Sequence, residues 1–125
     1  VLDVADLAAE DAHHYHWWLR GEPQGFASEV RQFGYRANAE WQVIDGGRVL
    51  NGGETFRIAT QPGQDLLIVA RVNAITAGDV RVSVDGQDAG EWRYPAIPGE
   101  WQEVSIWISG GYITGESTEL RFEAA

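Results

Sequence analysis

The chain contains no cysteine, so it has neither a disulfide framework nor thiolate chemistry. That absence leaves the redox compartment open, because a domain of this size folds outside the cell without disulfides. Lysine is also missing. Nine arginines carry all the fixed positive charge against nineteen acidic residues, for a formal net charge of −10. Such a surface repels phosphate backbones and anionic lipid headgroups, which excludes nucleic acid as the expected partner. No apolar run approaches the roughly 20 residues of a membrane span, so no membrane insertion by this domain is expected. The chain starts at VLDV without methionine, shows no signal-peptide core, and stops at EAA. It reads as a domain excised from a larger protein. Catalytic signatures are missing as well: there is no G-x-S-x-G, P-loop, G-x-G-x-x-G or H-E-x-x-H. Glycoside hydrolysis needs two carboxylates roughly 5 to 9 Å apart, but with this many acidic residues such a pair arises by chance. No enzyme is expected.

What is present is the pattern of an all-β domain. Hydrophobic residues make up 44% of the 125 positions, enough for one core in a single domain spanning 1–125. VRVSV (80–84) alternates three valines with Arg81 and Ser83, and Asp85-Gly86 follows as a tight hairpin turn into GEWRY (90–94). QEVSIWI (102–108) places Val104, Ile106 and Ile108 on one face, with Glu103, Ser105 and Trp107 on the other. STELRFEA (117–124) turns Leu120 and Phe122 inward and Arg121 and Glu123 outward. ETFRIA (54–59) does the same with Phe56 and Ile58 against Arg57. DLLIVARV (65–72) is nearly all apolar, which predicts a central strand covered on both faces. The connectors are glycine-rich: IDGGR (44–48), LNGGE (50–54), QPGQ (61–64), IPGE (97–100) and SGGY (109–112). Turn signals every 8 to 12 residues indicate an antiparallel sandwich or barrel. The exception is DVADLAAEDA (3–12), whose alanines and cap at Asp3 or Asp6 suit a short helical turn or a coiled lead into the first strand.

The stretch HHYHWW (13–18) concentrates the chain's chemistry. On a strand, His13, Tyr15, Trp17 and Leu19 share the more apolar face. His14, His16, Trp18 and Arg20 share the other, one ring among polar groups. That second set has the composition of a sugar contact surface: a ring stacks on pyranose C–H groups while imidazole and guanidinium groups bond the hydroxyls. The same H-x-H pair with Glu10 or Asp11 is a zinc alternative, and ordinary packing is a third. Trp107 stands opposite the face that Ile106 and Ile108 fill, so it needs a partner: a sugar, a neighbouring domain or a second copy. Trp41 and Trp92 read as core or rim residues. In 25–36, Glu29, Arg31 and Arg36 sit among Phe26, Phe33 and Tyr35 and either clamp a sugar diol or pair with each other.

Five pieces in order, GGRVLNGGETFRI, PGQDLLIVARV, VRVSVDGQDAGEW, PGEWQEVSIWI and ITGESTELRFEA, resemble the galactose-binding-like jelly rolls found in bacterial carbohydrate-binding modules and in accessory domains of glycan-handling proteins. The resemblance covers some 80 residues, and its most specific part is the V-x-V-x-G hairpin, the PG-x-W-Q-E-V strand and the closing T-E-L-R-F strand. It implies an antiparallel jelly-roll β-sandwich in which Trp101 packs over one end. It also implies a structural calcium ion held by acidic groups near the first and last strands, for which Asp6, Glu10, Asp11 and Glu123 are the candidates, with Asp3 nearby. No regular D-x-D-x-D loop accompanies them. The functional expectation is a noncatalytic carbohydrate-binding or accessory module of a larger bacterial protein, with Trp18, His14, His16, Arg20 and Trp107 as contact residues. It would act outside the cell or on the outer side of a membrane protein. The alternative is a structural domain that packs against its parent's other domains or forms a homodimer. Fold does not carry function by itself, so the site must decide.

Overall fold

A computed structural model describes residues 2–4, 6–18, 20, 30–36, 42–48, 52–72, 74, 76–97 and 101–125, with backbone alone for 30–36 and 42–48. After a short helix α1 (Leu7–Ala12) come β1 (His16–Trp18), β2 (Val30–Arg36), β3 (Gln42–Arg48), β4 (Gly53–Ala59) and β5 (Leu66–Val72). Then follow β6 (Gly78–Val84), β7 (Gln87–Tyr94), β8 (Gln102–Ile108), a 3-10 turn (Gly110–Tyr112) and β9 (Ser117–Ala124). All the pairings among the described residues are antiparallel. A five-stranded sheet has the order β1-β4-β9-β6-β7, while β2 pairs β3 and β5 pairs β8.

The alternation read from sequence holds along most of these strands. Phe56, Val82, Val84, Trp92, Leu120 and Phe122 form the inner face of the five-stranded sheet, and Leu66, Ile68, Ala70, Val104, Ile106 and Ile108 of β5 and β8 pack on it. Two antiparallel layers around one apolar core make the β-sandwich that the patterning predicts. The chain passes between layers from β4 to β5, β5 to β6, β7 to β8 and β8 to β9, as in a jelly roll rather than a meander. Phe122 meets Phe56 and Trp92 edge to face, with ring centroids 5.4 and 5.6 Å apart. Asp85 and Gly86 take φ of 47° and 80°, the paired positive values of the predicted hairpin turn.

Helix α1 is capped by Asp6, whose Oδ1 accepts from the backbone N–H groups of Ala8 and Ala9 at 2.9 and 3.0 Å. Of the two caps the sequence offered, this is the one used. Two expectations are corrected. IDGGR is not a connector: residues 44–48 lie within β3, paired residue by residue with β2. DLLIVARV is not covered on both faces: β5 alternates between half-buried and exposed positions, and Leu67 and Val69 are 55% and 57% exposed. Among the described residues its partner is β8 alone, so the layer is thin, and its outer face meets solvent although Leu67 and Val69 on it are apolar. No helix among the described residues is long and apolar enough to cross a membrane.

Candidate functional site

The histidine-aromatic stretch divides rather than acting as one strand face. Strand β1 covers only His16–Trp18, because His14 takes φ 51° and so ends the alternation before it. Tyr15 and Trp17 turn into the sandwich; His16 and Trp18 turn out. His13 lies in the turn after α1, where its Nδ1 donates to the Ala9 carbonyl at 2.7 Å, which places a proton on that nitrogen. The Trp18 ring lies over Gly53, so close that a Cβ there would collide with it. Across the ring stands Arg121, whose guanidinium sits 4.4 Å from the ring centroid while also bonding Glu123 at 3.2 Å. Arg20 donates to the Ala125 carbonyl at 3.2 Å.

The five expected sugar contacts therefore fall in different places. His16 and Trp18 stand on the outer face of the five-stranded sheet. His13 and His14 line a cavity of about 350 Å³ with Ala12, Arg57, Ile58, Ala59, Glu116 and Ser117. Trp107 stands on the outer face of the β5–β8 layer. The two inner faces share one core, so Trp18 and Trp107 lie on opposite sides of the sandwich. The acidic set is not assembled either. Asp6 is engaged with the helix N-terminus, Glu10 is buried, Asp11 is exposed on α1, and Glu123 is paired with Arg121. Among the described residues no three histidine or acidic side chains are placed to hold one metal ion. Glu29, Phe26 and Trp41 lie outside the described residues, and for Arg31, Phe33, Tyr35 and Arg36 only a place on β2 is given.

One carboxylate faces inward. Glu54 shares the parity of Phe56 and lies between Trp17 of β1 and Phe122 of β9. The residue as a whole is half-buried, but its carboxyl is enclosed, and Tyr15 Oη donates to its Oε2 at 2.7 Å. Burial pushes the Glu54 carboxyl above its ordinary value; the Tyr15 hydrogen bond opposes that rise, and the neighbouring Glu10 adds to it.

The outer face of β5–β8 has the composition of a contact surface. Leu67 pairs with Trp107, Val69 with Ser105, and Arg71 with Glu103. Trp107 is 64% exposed, and its neighbour across the strands is Leu67. At the far end Arg71 and Glu103 form an exposed ion pair of 3.5 Å, of the kind that adds little stability. Before β5, beside the core-facing Leu66 and not on this outer face, lies a shallow open depression whose described lining is Ala59, Thr60, Gln61, Gln64, Asp65 and Leu66. Sequence reasoning placed Trp107 on this face but missed Leu67 and Val69, because an unbroken apolar run reads as buried.

No family model matches the chain, and no curated protein matches it in sequence. Among solved structures the chain is similar to the native structure of a family 35 carbohydrate-binding module from Clostridium thermocellum. That likeness has 11% identity, 78% of this chain and 80% of that chain covered, and a TM-score of 0.45. At that identity and TM-score it assigns nothing to this chain.

Proposed function

We propose that the chain is a noncatalytic carbohydrate-binding domain whose contact surface is the outer face of β5–β8, with Trp107 as the stacking platform. The observation that carries this reading is the exposure of Trp107 on a regular strand, held in register by seven residue pairs with β5. An indole ring left in water costs hydrophobic free energy that a stacked apolar surface recovers, and the C–H face of a pyranose is such a surface. Ser105, Arg71 and Glu103 on the same face supply the donors and acceptors that hydroxyl groups need. Because the backbone is fixed by the ladder, ordering the platform adds little to the entropic cost of binding.

Trp107→Ala is the direct test, with affinity for the glycans that the unaltered domain retains on an array measured by calorimetry. Truncating a central aromatic contact costs 2 kcal/mol or more, so the expected loss is about thirtyfold or greater, with an unchanged thermal midpoint. Unchanged affinity would remove Trp107 from the site. A second reading has its own observation: Leu67 and Val69 extend the apolar strip beside Trp107. On that reading the face meets a neighbouring domain or a second copy. A blank array together with a concentration-dependent dimer that Trp107→Ala abolishes would establish it in place of the first.

A further inference from the structure

The outer face of β5–β8 carries three rungs in a row: Leu67 with Trp107, Val69 with Ser105, and Arg71 with Glu103. All six residues are exposed. Outward rungs on an antiparallel ladder recur at every second residue, so the first and the last stand about 13 Å apart. The row is graded. Its first rung sets the Trp107 ring beside Leu67, its middle rung couples the apolar Val69 to the Ser105 hydroxyl, and its last is the ion pair of Arg71 and Glu103 at 3.5 Å. Stacking is therefore available at one end and hydrogen bonding at the other. A single pyranose ring is too short to reach both.

The row is also rigid. On the inner side Ile68, Ala70, Val104 and Ile106 of the same two strands pack on the core, so the ribbon cannot tilt without unpacking them. At the Trp107 end, Gly63 N–H donates to the Ile113 carbonyl at 2.9 Å and Gly110 N–H to Asp65 Oδ1 at 2.7 Å, which ties the loop before β5 to the loop after β8. The two backbones touch so closely that a Cβ on Gly110 would collide with the Gly63 carbonyl. A fixed row favours a ligand whose own groups repeat along a line, because a chain already extended loses little freedom on binding. Equatorial 1,4-linkages hold successive pyranose rings in such a line, whereas an axial bond in the linkage coils the chain and carries it away from the row.

We infer that the β5–β8 face binds an extended, linear glycan laid along the strands, with one sugar stacked on Trp107 and a later sugar of the same chain bonded by Arg71 and Glu103. The inference rests on the carbohydrate reading above and adds the ligand's class and direction to it. Several consecutive residues of a straight chain are recognised, and short or coiled glycans fill only part of the row.

Calorimetric titration of the whole chain with β-1,4-linked gluco-, manno- and xylo-oligosaccharides, as disaccharides and as hexasaccharides, tests it beside the α-1,4-linked malto-oligosaccharides of the same lengths. In at least one linear series the hexasaccharide is expected to bind about tenfold tighter than the disaccharide or more, with no such gain in the malto series. The double variant Arg71→Ala/Glu103→Ala removes equal and opposite charges, and an exposed pair adds little stability, so its thermal midpoint should be unchanged. It is expected to weaken the hexasaccharide about tenfold and leave the disaccharide as it was. Equal affinities at the two lengths, or an equal gain in the malto series, would overturn the extended chain. A hexasaccharide untouched by the double variant, or a disaccharide weakened as much, would overturn its course along the strands. Binding lost in Trp107→Ala would leave the carbohydrate reading standing in each of those cases. No binding of any of these sugars by the unaltered chain would sink that reading and the inference together.

Discussion

Leu120→Ala is expected to lower stability by about 2–5 kcal/mol, and the midpoint by about 10–20 °C, with both faces of the sandwich lost in one transition. Leu120 is completely inaccessible and lies on β9, the middle strand of the five-stranded sheet. It pairs with Phe56 of β4 and Val84 of β6 and packs in the same cluster as Ile106 and Ile108 of β8. Removing its isobutyl group subtracts the transfer free energy of the lost carbons. It also leaves a void that neighbours on paired strands cannot collapse to fill, because their ladders hold them. Against the 5–15 kcal/mol of an ordinary domain that is a large fraction. Thermal unfolding followed by circular dichroism, together with tryptophan emission, measures it. A loss below about 1 kcal/mol, or two separate transitions, would mean that the β5–β8 layer does not share this core.

Glu54→Gln is expected to act in the opposite direction and to depend on pH. The native carboxyl holds its proton more tightly than in the unfolded chain, because burial disfavours the anion and Glu10 adds like charge. The native state therefore binds more protons, and stability falls as pH rises. The contribution of Glu54 is fully present below its unfolded value near 4.5 and is lost as pH climbs through the raised native value. Glutamine cannot ionise, and its carbonyl oxygen still accepts from Tyr15 Oη. The variant should match the unaltered chain at pH 4 and exceed it by several degrees at pH 8, flattening the profile. Parallel profiles across that range, or a variant less stable at pH 8, would show that the anion is not penalised there.

These two residues show which parts of the molecule were legible in the sequence. Leu120 was assigned inward from the alternation in STELRFEA, and Glu54 falls inward by the same parity in ETFRIA. That Glu54 meets Tyr15 and lies near Glu10 depends on α1 and the turn at His13 and His14 folding against β4, where Arg57 N–H donates to the His13 carbonyl at 2.7 Å. His14 was assigned to the face of His16 and Trp18 because a two-residue period was extended one position too far. The left-handed turn that breaks it has no signal in HHYHWW, since histidine tolerates both conformations.

The sequence by itself determined the β-class, the single apolar core, the strand faces of β4, β6, β8 and β9, the hairpin at Asp85-Gly86 and the outward placement of Trp107. Each follows from local covalent geometry: successive side chains on a strand point to opposite sides, whatever lies elsewhere in the chain. Only the tertiary structure decided that β5 is uncovered on one face and that Trp18 and Trp107 look in opposite directions. It alone showed that the loop before β5 is tied to the loop after β8. Those facts depend on pairings across dozens of residues, Leu66 with Ile108 and Thr60 with Glu116 among them, and no local window of sequence states which strand finds which partner.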